Sequence, residues 1–338
     1  MKPTVSVIIV AYKRKEYLYM AIDSVLSQSL NRRFYEVIVV KDFRSNRDSI
    51  LCKQGVKFIY TKEKAIGRKL VKALLMARGS IISFLDDDDI FCKDKLLHVY
   101  KLFINNRRLG YYKNNLEVID QSGNTRISNF EAHNILRINK LGKLLIKNRL
   151  KSSIIKMNNV GTGSLPSCIS VKKEILMPNL AYLNKIKVSQ DWFSYFAVLN
   201  SDWYVLTDFE VLTRYRIHSD NLSKSQDVGK IIDFNHMCLD SLYPILDMIS
   251  KKANRPSVGS VRSLIAYYEL TNSILEKEAK IRILNKIDDY IKYEDSLGYR
   301  QLMLLYALKG LFLLRYKVAR DAYIRMIKKK MAKNYKLK

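Results

Sequence analysis

The run Ser80-Ile-Ile-Ser-Phe-Leu85 leads straight into four consecutive aspartates, Asp86–Asp89, and this junction constrains the chain more than any other feature. A short continuous apolar run reads as a strand buried on both faces, as in a parallel sheet. Four adjacent carboxylates repel one another in any partly desolvated setting. A hard divalent cation relieves that repulsion, because Mg²⁺ or Mn²⁺ takes carboxylate oxygens and commonly completes its shell with substrate phosphates. A solvated or helix-capping acidic turn is the simpler reading. It fits poorly with the apolar residues on both sides, Phe84-Leu85 and Ile90-Phe91.

The rest of the first hundred residues supplies the setting. Val5–Ala11, Glu36–Val40 and Val56–Tyr60 read as further buried strands. Residues 15–29 place Leu18, Ala21, Ile22, Val25 and Leu26 on one helical face, Ile66–Ala77 forms a helix stopped by Gly79, and Asp94–Asn105 is helical again. Strands alternating with helices specify an α/β fold, a Rossmann-like and mostly parallel sheet with flanking helices. Ligands of such sheets sit at the carboxyl ends of the strands, where Asp42 and Asp86–Asp89 both fall. Taken singly, Asp42 fits a turn former or helix N-cap equally well, and Arg68 fits a solvated helix residue.

Charge narrows the partners without choosing among them. The chain of 338 residues carries a formal net charge of +28, which attracts nucleic acid, anionic membrane or phosphorylated small molecules. Residues 132–173 hold nine Lys and Arg and no acid; within them 135–155 reads as a basic amphipathic helix or helix pair, followed by the small-residue loop Gly161–Pro166. From Val228 the chain reads helical, and residues 301–338 hold eleven basic residues against one acid, Asp321. Leu302, Leu305, Leu308, Phe312, Tyr316, Ala319 and Tyr323 fall near one helical face. That face fits packing on the preceding α/β domain, and it equally fits peripheral attachment to an anionic membrane surface. The four cysteines are scattered with no CxxC pair, which suits reduced thiols rather than zinc or a dithiol site. Val5–Ala11 is too short for a secretory signal, and no apolar run reaches the ~18 residues that span a bilayer. The expected location is cytoplasmic, with the inner face of the cell membrane as the peripheral alternative.

An ordered set of segments resembles family 2 of the glycosyltransferases, which have the GT-A fold. Val5-Ser-Val-Ile-Ile-Val-Ala-Tyr-Lys-Arg14 with Leu18 and Ala21–Gln28 is similar to that family's first strand and helix. Glu36-Val-Ile-Val-Val-Lys-Asp42 is similar to its second strand, with Lys41 in place of the first of two aspartates. Ala77–Asp89 followed by Asp94-Lys-Leu96 resembles the segment carrying the DXD motif, Ser189-Gln-Asp-Trp192 the motif of the catalytic base, and Tyr215-Arg-Ile-His218 with Asn221-Leu-Ser223 a Tyr-Arg-x-His segment. The likeness covers about residues 3–223 and divides the chain into a catalytic domain, 1–225, and a helical basic region, 226–338. The nucleotide-sugar half would be 1–110 and the acceptor half 111–225.

The resemblance implies roles. Ala11 and Tyr12 would line the base pocket and Asp42 would accept a hydrogen bond from the base. Arg68 matches the nucleotide-contacting arginine, with Lys69 where Asn is usual. Asp88 would hold Mg²⁺ or Mn²⁺, with Asp86 or Asp87 on the ribose or a metal-bound water, and His218 near the diphosphate or the metal. Asp191 would be the base, Gln190 standing where Glu is common. The implied reaction is transfer from a nucleotide-diphosphate sugar, UDP-linked by default, to a glycan or lipid-linked acceptor with inversion. A non-catalytic nucleotide- or lipid-binding module of the same fold is the alternative. A nucleic-acid-binding or nucleotidyltransferase protein suits the charge, but no nucleic-acid signature accompanies it.

Overall fold

A computed structural model describes residues 3–11, 16–125, 144–146, 163–218, 227–251, 255–292 and 299–333. The chain forms two compact units that divide between Ile217 and His218.

The first unit is built on one sheet. Its strands are β1 (Val5–Val10), β2 (Tyr35–Lys41), β3 (Val56–Tyr60), β4 (Ile81–Asp86), β5 (Ile90–Phe91), β6 (Leu109–Ile119), β7 (Leu144–Ile146), β8 (Ile169–Lys172) and β9 (Tyr204–Arg216). Their order is β3-β2-β1-β4-β8-β6-β9-β5, with β7 also on β9. β1 runs parallel to β2 and β4, and β2 to β3. β8 runs against both β4 and β6, β9 runs with β6, and β5 runs against β9. Six strands of the path therefore share one direction and two are reversed. This is the expected mostly parallel α/β sheet, made mixed by β8 wedged between β4 and β6.

Helices α1 (Glu16–Leu26), α2 (Arg47–Lys53), α3 (Ile66–Met76), α4 (Lys95–Asn105) and α5 (Gln190–Leu199) belong to the same unit. Val7, Ile9, Val37 and Val39 from the strands meet Leu18, Ile22 and Val25 of α1 and Leu96, Val99 and Phe103 of α4 in one buried cluster. Strand residues buried on both faces, such as Ile8 and Ile38, explain why these segments read as unbroken apolar runs. At the amino ends of the strands, buried Glu36 accepts from Ser6 Oγ (2.6 Å), Lys57 Nζ (2.7 Å) and the Arg78 and Gly79 amides (2.6 and 3.2 Å). Those partners outweigh desolvation and lower its pKa.

The second unit is helical: α6 (Val228–Ser250), α7 (Arg255–Leu275), α8 (Lys280–Ile291), α9 (Tyr299–Leu314) and α10 (Tyr316–Lys333). Its core joins Ala266, Leu270 and Ile274 to Ile283, Ile287, Leu305, Phe312 and Ala319, with Leu308, Tyr316 and Tyr323 packed against them. Leu305, Leu308, Phe312, Tyr316, Ala319 and Tyr323 of the C-terminal apolar face thus serve this unit's own core. Asn235 Nδ2 donates to Asn272 Oδ1 (2.7 Å), a buried pair linking α6 and α7. No helix is long and apolar enough to cross a membrane among the described residues. Within the segment 135–155, expected to be helical, the described residues Leu144–Ile146 form strand β7 instead, held by antiparallel pairing with β9. The rest of that segment lies outside the described residues, as do Gly161, Thr162 and Asn221–Ser223.

Candidate active site

Register brings the first group of residues together. Val10 pairs with Val40 on one side and with Asp86 on the other, so Ala11, Lys41 and Asp87 come level at the carboxyl ends of three adjacent strands. The Ala11 amide donates to Val40 O (2.8 Å). From α3, the buried Lys69 donates through Nζ to Ala11 O (3.2 Å). Burial lowers the Lys69 pKa, while the charges of Asp42 and Asp87 favour its ammonium form. Arg68, one position earlier, lies on the outer side of α3, 55% exposed and paired with Glu63 (3.2 Å). Lys69 is thus the cation that α3 turns inward. Tyr12 lies outside the described residues.

Lys41 has a separate occupation. Its buried ammonium pairs with Asp48 of α2 and lies over the rings of Phe43 (4.5 Å) and Phe58 (4.7 Å). Asp48 also accepts from Tyr60 Oη (2.8 Å) and the Ser45 amide (3.0 Å). The departure from two aspartates at the end of β2 therefore coincides with a buried ion pair beside α2 and β3, while Asp42 stays at the strand end, half-buried.

The acidic loop is held by a cation the sequence reading assigned no role. Arg216, at the end of β9, is fully buried. Its Nε donates to Asp88 O (2.9 Å), and Nη1 donates to Asp120 O (3.0 Å) and Gln121 O (2.7 Å), with Tyr17 packed on the guanidinium. The Arg216 amide donates to Asp89 Oδ1 (2.9 Å). Below the loop, Ser167 Oγ accepts from the Asp86 amide (3.0 Å) and bonds the Asp89 carboxylate. Lys95 of α4 sits behind it, fully buried, donating to Asn114 Oδ1 (2.9 Å), Thr213 Oγ1 (3.0 Å) and Ser167 O. All three ammonium protons meet acceptors, so Lys95 supports the loop, although burial still lowers its pKa to about 8.

These anchors leave the carboxylates crowded. Asp87, Asp88 and Asp89 are buried. Desolvation, then the charges of Asp89, Asp88, Asp87 and Asp191, push Asp86 well above the usual carboxylate range. Desolvation and Asp88 push Asp89 up to about 8. Groups in this state favour a proton or a bound cation. Among the described residues no three His, Cys, Asp or Glu side chains converge as a ready-made metal site. A divalent ion fits here where substrate phosphates complete its shell.

Asp191 closes the other side. It stands in the first turn of α5, next to Gln190, whose Nε2 lies 3.5 Å from Asp86 Oδ1. The Leu165 amide donates to Asp191 Oδ2 (3.1 Å). Desolvation raises the Asp191 pKa to about 6, against the amides of Trp192, Leu165 and Asp191 itself and the charge of Lys113 on β6. Leu165 and Ser189 both have φ of 64°, a left-handed conformation uncommon for side-chain-bearing residues. Both flank this carboxylate, where backbone strain is characteristic of functional sites. His218, buried two residues beyond β9, falls in the second unit.

Structure therefore brings Ala11, Asp42, Asp86–Asp89 and Asp191 to the carboxyl-end region of one sheet and adds Lys69, Arg216, Ser167, Lys95 and Lys113. Arg216 stood inside the Tyr-Arg-x-His segment, and Lys69 stood out as a departure from the usual Asn. Lys113 carried no signal, because a lysine inside a strand reads as a solvent-facing position until its neighbours are known.

The family model described as glycosyl transferase family 2 matches residues 6–159. A Bacillus subtilis protein named a teichuronic acid biosynthesis glycosyltransferase, TuaG, is 28% identical over 236 residues, 67% of this chain and 83% of TuaG. S. aureus TarS 1–349, solved in complex with UDP-GlcNAc, aligns over 95% of this chain and 92% of its own, with a TM-score of 0.60 and 15% identity. The mannosyltransferase PcManGT from Pyrobaculum calidifontis, solved with GDP-Man and Mn²⁺, aligns over 98% and 85%, with a TM-score of 0.55 and 14% identity. At those identities the two structures speak to the fold, which is GT-A. Residues 6–159 thus match glycosyl transferase family 2, and the chain is similar to glycosyltransferases over two thirds of its length.

Proposed function

We propose that this glycosyltransferase moves a sugar from a nucleoside diphosphate donor to a hydroxyl of a glycan, wall-polymer or lipid-linked acceptor, by a single displacement with inversion, and that Asp191 is the base. The observation that carries this reading is the Asp191 carboxylate, pushed up to about 6 and oriented by the Leu165 amide at 3.1 Å. A base that titrates near neutrality and is held in one orientation suits removal of a proton from an attacking hydroxyl. Lys113 steadies the charged form. Asp42 accepts from the base of the nucleotide beside Ala11, and Arg68 reaches the nucleotide from the outer side of α3. Asp86 or Asp87 meets the ribose. Asp88 and Asp86 would hold Mg²⁺ or Mn²⁺ together with the donor's phosphates, and the ion would supply Lewis-acid stabilisation of the departing diphosphate.

UDP-sugars are the first donors to try, since TarS was solved with UDP and with UDP-GlcNAc. GDP-sugars come next, since PcManGT was solved with GDP-Man. The name of TuaG favours an acceptor of the kind used in teichuronic acid biosynthesis. In Asp191→Asn, transfer falls by about 10²–10⁴-fold, the usual weight of a general base, while UDP affinity measured by calorimetry stays within about threefold. Wild-type kcat/KM rises with pH through about 6, because the base works deprotonated and its pKa lies there. Loss of UDP binding in the variant, or a profile flat across that range, moves the base to another residue.

A further inference from the structure

The second unit buries one face of its last two helices and leaves their junction bare. α9 turns Leu305 and Phe312 inward and α10 turns Ala319 and Ile327 inward. At the elbow between the helices, Leu311, Leu313, Leu314 and Val318 are 53%, 50%, 84% and 58% exposed. Arg315 and Lys317 are exposed among them. The elbow backbone stays hydrogen-bonded: the Arg315 amide donates to Leu311 O (2.8 Å) and the Ala319 amide to Arg315 O (2.9 Å). Lys280 Nζ donates to Leu313 O (2.8 Å), adding another base at the elbow.

Four exposed aliphatic side chains within eight residues are more than scattered surface apolarity, and such patches mark contact sites. Charge selects the partner. Residues 301–338 carry eleven basic residues against one acid, and that acid, Asp321, is engaged by Arg320 at 3.0 and 3.1 Å. Aliphatic residues interleaved with lysine and arginine match acyl chains beneath anionic headgroups. Single-stranded nucleic acid is gripped by stacking on aromatic rings, which this aliphatic elbow does not offer.

We propose that the α9–α10 elbow docks the protein on an anionic lipid surface, with Leu311, Leu313, Leu314 and Val318 entering the acyl boundary and Arg315 and Lys317 meeting lipid phosphates. This surface differs from the apolar face picked out along the sequence, which packs into the helical core. The inference is independent of the donor site, so its failure leaves the proposed chemistry standing.

The test uses the full chain and co-sedimentation with vesicles of phosphatidylcholine, alone or mixed with phosphatidylglycerol. Wild type is expected to bind the mixed vesicles, to bind neutral ones at least about tenfold less, and to be released by high salt. Leu311→Ser/Leu314→Ser lowers binding to mixed vesicles at least about tenfold, and Arg315→Glu/Lys317→Glu lowers it comparably. Both variants keep the wild-type unfolding midpoint within a few degrees, since the altered side chains are exposed. Equal binding by the leucine variant overturns the proposal, as does absence of wild-type binding or equal binding to both vesicle types. A wild-type dimer made monomeric by the leucine variant, without vesicle binding, also overturns it and assigns the elbow to a second copy.

Discussion

Lys69 decides how much of the acidic site is balanced before any ligand arrives. Its ammonium reaches Ala11 O at 3.2 Å between two carboxylates that favour its charge, Asp42 and Asp87. A cation fixed there holds the nucleotide end of the site in shape and leaves the Asp86–Asp89 loop as the part that needs an external ion. Lys69→Asn, which restores the residue usual in the family, removes the charge and leaves those two carboxylates facing each other. Losing a charge-assisted hydrogen bond costs about 1.5–3 kcal/mol, so UDP affinity is expected to drop by roughly tenfold or more. Mn²⁺ should also enhance UDP binding more in Lys69→Asn than in wild type. Calorimetry with and without EDTA reads both effects. An unchanged affinity with unchanged metal dependence would place Lys69 outside the donor site. Arg216 works differently, since it grips the loop through the carbonyls of Asp88, Asp120 and Gln121. A residue engaging backbone carries little pattern along the chain, which is why it was visible only as part of a motif.

At the level of elements, α3 ties the two halves of the site together. A Cβ added at Gly67 would lie 1.8 Å from Leu183 O and 2.8 Å from Ile186 O. The Ile66 and Gly67 amides donate to Lys187 O (3.2 Å) and Ile186 O (3.0 Å). Absence of a side chain thus lets the segment leading to Ser189 and Asp191 lie directly on the start of the helix that carries Lys69. Gly67→Ala must displace that segment, so kcat falls by at least about tenfold while far-UV dichroism stays native, because a misplacement of about 1 Å is enough to cost a reacting group its alignment. Full activity in Gly67→Ala would show that the contact is slack. Local signals served the parallel half well: β1, β3, α3 and α4 lie within a residue or two of where the apolar runs and helical periodicity put them. Beyond Leu109 the reading stopped at a mixed pattern. β8 is four residues long and gains its place only by pairing with β4 and β6, which are far away in the sequence. Strand preference of that kind comes from neighbours rather than from the segment itself. The same limit hid Lys113, whose burial depends on that pairing.

Across the molecule, each unit has its own hydrophobic core, and separate cores permit separate unfolding. Both tryptophans, Trp192 and Trp203, lie in the first unit, so tryptophan fluorescence reports on the sheet and its helices alone. The second unit is helical in every described element, and it contributes heavily to ellipticity at 222 nm. Ile287 of α8 is fully buried in the helical core. Cutting it to alanine removes buried methyl and methylene groups and leaves a cavity, a change that typically costs about 2–5 kcal/mol. Ile287→Ala should therefore lower the midpoint of the ellipticity transition by several degrees and leave the fluorescence midpoint where it was. UDP binding should persist, since Ala11, Asp42, Arg68 and Asp86–Asp88 all lie in the first unit. A joint shift of both midpoints would mean that the units unfold as one cooperative body. In that case the effects of elbow substitutions would have to be judged against the stability of the whole chain, and vesicle binding would need to be compared at matched unfolding midpoints.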